Sequence, residues 1–206
     1  MTNTVCFDAE LIRRYDRNGP RYTSYPTAVQ FHTGFGPEQY KKAAADNNAT
    51  LATPLSLYVH IPFCSSPCFY CGCNKIITHD VVKAQRYLDY LYREIAMQAP
   101  LFSRSRTVQQ LHFGGGTPTF LSLQQLECLI ERLKAEFHLT GSPTREYSIE
   151  IDPRTLKPES LPALAQMGFN RVSLGVQDFD PEVQRAVNRV QSAVETLRAI
   201  ANARRA

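Results

Sequence analysis

The sequence predicts an α/β fold built on a parallel sheet. Three observations lead there. Short apolar strands alternate with amphipathic helices four times after residue 51. Turn-forming Gly, Pro and capping residues fall between the elements. The chemically unusual segments cluster just after the strands, at the carboxyl ends where parallel sheets gather ligands.

Residues 1–50 read as a leader segment, and residues 51–206 as the core. The leader is punctuated by Asn18-Gly-Pro20, Tyr25-Pro26-Thr27 and Gly34-Phe-Gly-Pro37, and a short helix is expected over Pro37–Asp46 with proline at its first position. Tyr22 and Tyr25 are expected to pack within this segment. In the core, Leu55, Leu57, Val59 and Ile61 alternate with Ser56, Tyr58 and His60, a strand that Pro62 ends. His60 is expected to be structural.

Val82, Leu88, Leu91, Ile95 and Ala99 recur at helical spacing and predict a helix over 80–99. Val108–Phe113 is the second strand, running into Gly114-Gly-Gly116. Ser122 with Gln125 forms a capping box before Leu126, Leu129, Ile130, Leu133 and Phe137. Glu146–Ile151 is the third strand. Glu159–Met167 is a helix that Gly168 stops. Val172–Val176 is the fourth strand. Asp180-Pro181 opens one more helix, and Ser192 with Glu195 opens the last. Four βα units cannot close an eight-stranded barrel, so a small open sheet or part of a longer chain is expected, with the fourth strand as an exposed edge.

An apolar share of 43% is that of a globular chain, which argues against disorder. No run approaches the ~20 apolar residues of a membrane span, and the first residues lack the pattern of a secretory signal. The expectation is a cytoplasmic protein with no membrane partner. The net charge of +4 is small and dispersed, so no nucleic-acid partner is expected, although an acidic small molecule would suit it.

Cys64, Cys68, Cys71 and Cys73 fall within ten residues, whereas Cys6 and Cys128 stand apart as ordinary cysteines. A disulfide scaffold would spread its cysteines and need an oxidising compartment. Structural zinc favours two separated pairs. Cys68 to Cys71 has the spacing of a redox dithiol but does not clearly open a helix. Iron–sulfur clusters take thiolates close together in sequence. Three thiolates at CxxxCxxC leave one iron of a cubane open. The cluster reading is favoured; zinc and free thiols remain as alternatives.

CxxxCxxC after a first strand resembles the radical S-adenosylmethionine (SAM) enzymes. More narrowly, Tyr58-Val-His-Ile-Pro-Phe-Cys64, Cys71-Gly-Cys73-Asn-Lys, Gly114-Gly-Gly-Thr-Pro-Thr119, Ser148-Ile-Glu-Ile-Asp-Pro153 and Gly175-Val-Gln-Asp-Phe179 resemble the oxygen-independent coproporphyrinogen III oxidases, as does Pro20-Arg-Tyr-Thr-Ser-Tyr-Pro-Thr27. The resemblance runs from about residue 11 to about residue 190. It implies an incomplete radical-SAM parallel (β/α) partial barrel.

It also implies that Cys64, Cys68 and Cys71 ligate a [4Fe-4S] cluster whose open iron chelates SAM, with Cys73 outside the ligand set. Tyr58, Gly115 and Glu150 would contact one SAM. Tyr70, Gly116, Thr117, Gln177 and Arg189 would contact a second. The implied reaction is oxidative decarboxylation of two propionates of coproporphyrinogen III to the vinyl groups of protoporphyrinogen IX, through a 5′-deoxyadenosyl radical, in haem biosynthesis. A flavodoxin-like electron donor and a monomeric state accompany it.

Family members of this kind continue well beyond the length seen here, so the chain is expected to be a fragment with impaired activity. Two rivals remain: a related haem-binding chaperone, against which Cys73 and the Arg21–Thr27 leader count, and a structural zinc module.

Overall fold

A computed structural model describes residues 7–17, 27–49 and 52–206. Cys6, the Asn18–Pro20 turn, Tyr22 and Tyr25 lie outside the described residues. The chain forms two compact units, residues 1–42 and 43–206.

In the first unit the helix α1 (Ala9–Tyr15), which the sequence reading did not anticipate, is capped by Asp8, whose carboxylate accepts from the backbone N–H of Glu10 and Leu11 at 2.9 Å each. The helix α2 starts at Pro37 as expected and runs to Asn48, two residues past the predicted end.

The second unit holds a parallel sheet. Its main strands are β1 (Leu55–Ile61), β4 (Thr107–Gly115), β6 (Glu146–Ile151) and β7 (Arg171–Leu174), in the spatial order β1-β4-β6-β7. Between β1 and β4 the chain makes a two-stranded pairing, β2 (Phe63–Cys64) with β3 (Ile76–Ile77), and the helix α3 (Val81–Gln98). The helix α4 (Leu123–Glu136) and a short β5 (His138–Leu139), which pairs with the start of β4, precede β6. The remaining helices are α5 (Ser160–Gln166), α6 (Pro181–Ala186) and α7 (Ala193–Arg205). All described pairings are parallel.

The expected capping box forms at Ser122, which accepts from Gln125 N at 3.2 Å, and the expected helix start at Ser192 is a second one, with Ser192 accepting from Glu195 N at 3.1 Å; each has the reciprocal side-chain bond. Asp80 caps α3, and Asp180 caps α6 ahead of Pro181.

The core follows from the two periodicities. Val59 and Ile61 of β1, Leu111 and Phe113 of β4, and Ile149 and Ile151 of β6 are buried on one face of the sheet. Leu88 of α3, Leu126, Leu129, Ile130 and Leu133 of α4, and Leu164 of α5 cover them. Fully burying one such side chain is worth roughly 1.5–3 kcal/mol before entropy is counted.

The pattern in β4 changes parity after Val108 because the register shifts between Leu55 and Ser56: Leu55 pairs with Val108 and Ser56 with Gln110, which leaves Gln109 as the extra residue. Beyond the shift, Tyr58, His112 and Ser148 lie side by side across three strands. The last strand ends at Leu174, two residues before the sequence prediction. Beyond it Gln177 takes φ +58°, a left-handed conformation that a strand cannot contain.

Candidate active site

The site sits at the carboxyl ends of the strands. β1 and β2 deliver Cys64, and the loop to β3 carries Cys68, Tyr70, Cys71 and Cys73. β4 ends in the glycines, β6 in Glu150 followed by Asp152, and the segment after β7 brings Gln177 and Arg189. One cavity of about 470 Å³ is lined by all of these, a volume within the ordinary range of small-molecule sites. Every residue expected from the sequence faces this cavity except Tyr58.

Tyr58 instead lies on its flank, 60% exposed. Its ring stacks on His112 at 5.8 Å, and its hydroxyl meets His60 Nδ1 at 2.9 Å. His60 Nε2 faces the Asn74 carbonyl at 2.9 Å; a carbonyl can only accept, so Nε2 carries the hydrogen. His60 thereby ties β1 to the end of the cysteine loop, the structural role expected of it.

The glycines let two segments approach. A Cβ on Gly116 would lie 2.7–2.8 Å from the backbone of Pro62 and Phe63, where nothing can yield cheaply. Gly116 N donates to Ile61 O at 2.8 Å and Thr117 N to Phe63 O at 2.7 Å, fixing the strand that leads into Cys64. Gly115 has φ +116°, and its N–H donates to Glu150 Oε2 at 3.1 Å. The other Glu150 oxygen lies 3.4 Å from His112 Nε2, while His112 Nδ1 meets Ser148 Oγ at 2.6 Å.

The thiols occupy unequal surroundings. Burial pushes Cys64 up, partly offset by Thr117 Oγ1 at 3.6 Å from its sulfur. Burial also pushes Cys71 up, but the backbone and thiol of Cys73 and the Lys75 ammonium outweigh it, and the net shift is downward. Lys75 Nζ donates to Cys71 O at 2.9 Å. The Cys73 thiol is raised by burial and by the neighbouring Cys71 thiol, and Tyr70 is pushed up to about 12, first by burial.

Arg189 reaches Cys68 Sγ at 3.7 Å and Gly175 O at 3.0 Å, and stands 3.6 Å from Asp152. Asp152 is buried, with its main ion pair to Arg154 at 2.6 Å. Burial raises its pKa, but Arg154 and Arg189 together hold it below the usual carboxylate range. The sequence reading placed Asp152 at the strand end but missed Arg154, Lys75 and the contact of Cys73 with Cys71. The adjacency of Asp152-Pro-Arg154 was the available signal for the first.

Two further observations bound the site. Among the described residues, no three His, Cys, Asp or Glu side chains converge at the spacing of a single metal ion. A larger open groove, about 1470 Å³, runs between α3 and α4 past Tyr92, Arg93, Leu126 and Arg132. It contains none of the cysteines that face the smaller cavity.

A family model described as the Radical SAM superfamily matches residues 58–206. The chain belongs to the Radical SAM superfamily. It is 55% identical over 196 residues to the oxygen-independent coproporphyrinogen III oxidase of Pseudomonas aeruginosa, covering 95% of this chain and 42% of the relative. The Escherichia coli K12 protein of the same name is 50% identical over 187 residues, covering 91% and 40%. The solved structure of the Escherichia coli coproporphyrinogen III oxidase, described as a radical SAM enzyme, superposes with a TM-score of 0.83 at 46% identity, covering 98% of this chain and 43% of that one. The chain thus spans about two fifths of the length of the curated relatives it matches.

The expected fold, an incomplete radical-SAM α/β partial barrel, is the one observed. The family implies a [4Fe-4S] cluster and SAM. The residues present fit both. Four thiols, three of them the ligand candidates Cys64, Cys68 and Cys71, face a single cavity with cationic Arg189 and Lys75 beside them, and the cavity continues past a glycine cradle to a carboxylate. No helix among the described residues is long and apolar enough to cross a membrane.

Proposed function

We propose that this chain is the cluster- and SAM-binding part of an oxygen-independent coproporphyrinogen III oxidase, acting in the cytoplasm in porphyrin and haem biosynthesis. When bound, the cluster and SAM supply a 5′-deoxyadenosyl radical for oxidative decarboxylation of two substrate propionates to vinyl groups. The observation that carries this reading is the meeting of Cys64, Cys68 and Cys71 with Gly115, Gly116 and Glu150 on one cavity. The substrate of the reading comes from the relatives at 50–55% identity, which are coproporphyrinogen III oxidases.

The residues of the chain divide the work. Cys64, Cys68 and Cys71 would hold the cluster; Cys73 stays outside the ligand set and lowers the pKa of the neighbouring Cys71. Glu150, fixed by Gly115 N–H and His112, offers carboxylate oxygens to the hydroxyl or ammonium groups of a first SAM, with Tyr58 at its flank. Tyr70, Gly116, Thr117, Gln177 and Arg189 would take a second SAM, for whose carboxylate the Arg189 guanidinium supplies paired donors. An electron reaches the cluster from a flavodoxin-like donor. The protein acts as a monomer.

Anaerobic reconstitution with iron and sulfide, followed by an assay of reductive SAM cleavage, tests the proposal. The parent chain and Cys73→Ser should take up iron and acid-labile sulfide. Cys64→Ser, Cys68→Ser and Cys71→Ser should not. Zinc uptake without iron, or stoichiometric haem binding without SAM cleavage, would overturn it.

A further inference from the structure

We propose that the turn Val187–Arg189 is a clamp that positions the cysteine loop before any metal arrives, and that the Asn188 carboxamide is its principal contact. The importance of an ordered loop rests on the cluster reading above; the clamp itself is a property of the chain alone.

Three consecutive residues of the turn engage three consecutive residues of the loop, about 120 positions away in sequence. Asn188 Nδ2 donates to Pro67 O at 2.7 Å. Phe69 N donates to Val187 O at 3.0 Å. Arg189 Nη1 stands 3.7 Å from Cys68 Sγ. Within the loop, by contrast, support is sparse: Cys71 N reaches Cys68 O at 3.1 Å and Lys75 reaches Cys71 O. The Phe69 ring is 72% exposed, so its packing cannot fix the segment.

The turn has the rigidity that a clamp needs. Asn188 adopts φ +54°, a left-handed conformation that asparagine tolerates better than other residues with a side chain. Behind it lies the buried Gln184, whose amide donates to Asp178 O and Gln191 O at 2.7 Å each and accepts from Gln191 N at 3.0 Å. Arg189 N closes the turn onto Gln184 O at 2.8 Å. None of these bonds lies between two cysteines, so the thiols gain order without being tied together. A loop ordered in advance loses less conformational entropy when its thiols take up a ligand.

Amide hydrogen exchange on the metal-free chain tests this, with Asn188→Asp and Asn188→Gly. Aspartate keeps the shape and the tolerance of the left-handed turn but presents an acceptor to the Pro67 carbonyl. Glycine keeps the turn and removes the donor. Both should speed exchange at Phe69 roughly tenfold, as expected for local opening after loss of a hydrogen bond. Exchange at Gly116, whose N–H binds Ile61 O in the sheet, should not change.

After reconstitution with iron and sulfide, both variants should show a shifted electron paramagnetic resonance spectrum of the reduced centre, with an unaltered thermal midpoint. Parent-like exchange at Phe69 in both variants overturns the clamp. So does an equal rise at Phe69 and Gly116 in both, since the contact would then support the fold generally. A parent chain that takes up no iron removes the cluster reading, while the exchange comparison still decides the clamp.

Discussion

Replacing Gly116 with alanine places one methyl group where the structure has no room for it. The Cβ would stand 2.7 Å from Phe63 O and 2.8 Å from both C and O of Pro62. Ordinary contact begins near 3.4 Å, so the two segments must separate by about 0.7 Å. Three backbone bonds resist that movement: Gly116 N to Ile61 O at 2.8 Å, Thr117 N to Phe63 O at 2.7 Å and Ile76 N to Pro62 O at 2.7 Å. Stretching two of them by that amount takes them past good hydrogen-bond length and forfeits about 1 kcal/mol each. Overpacking adds about 1–3 kcal/mol. The expected loss is therefore about 3–5 kcal/mol. With a urea slope of about 2 kcal/mol per molar, the unfolding midpoint of the metal-free chain should fall by about 1.5–2.5 M. Gly72→Ala is the control, because nothing lies within 4 Å of its Cβ, and its midpoint should stay within about 0.3 M of the parent. A Gly116→Ala midpoint as close to the parent as that of Gly72→Ala would refute the reasoning.

Asp152→Asn removes the charge between Arg154 and Arg189 and should cost about 2–4 kcal/mol in chemical unfolding at neutral pH. Because the folded pKa of Asp152 is depressed, its contribution is complete above the unfolded value near ~4 and is lost as pH falls through the lower folded value. The stability gap between parent and Asp152→Asn should therefore be constant from neutral pH to about 5 and should shrink only in acid. Tyr87→Phe keeps the edge-on ring contact with Phe63 at 5.5 Å but removes the hydroxyl that donates to His60 O at 2.5 Å; a loss of about 1 kcal/mol is expected from denaturant titration. Thr196→Val strips the partner of the buried Gln191 amide, 2.8 Å away, and should cost about 1–3 kcal/mol, read as a lower thermal midpoint.

What was legible in the sequence is what local spacing encodes. The capping box at Ser122, the helix starts at Ser192 and Asp180-Pro181 and the alternation of β1 each depend on residues within four positions of one another, and each forms as read. The cysteine spacing brought all three ligand candidates to one cavity for the same reason. Features set by another segment were not legible. The register shift at Ser56 depends on how β1 meets β4, so the parity change in β4 could not be foreseen. The fourth strand reads as continuing to Val176, yet it ends at Leu174. A Cβ on Gly175 would meet Arg189 Nη2 at 2.9 Å, so that position serves the arginine and not the sheet. Tyr58 belongs by sequence to the motif that leads into Cys64, and its strand position sets it beside His112 on the flank of the cavity, a placement that depends on how β1 meets β4.

Placing the thiols is mainly a backbone problem. The cysteine loop is closed at its base by β2 and β3, where Ile76 N reaches Pro62 O and Thr78 N reaches Cys64 O at 2.9 Å. The glycine turn grips its first residues through Ile61 and Phe63, and the Val187–Arg189 turn holds its middle. Each of these supports comes from a different βα unit, so no single unit could hold the loop in place. The charged groups act on that frame without setting it: Arg189 and Lys75 reach the loop through long side chains, whereas Asp152 anchors Arg189 from a buried position. Substitutions at the charges should therefore alter the chemistry of the thiols, whereas substitutions at Gly116 and Asn188 should alter where the thiols are.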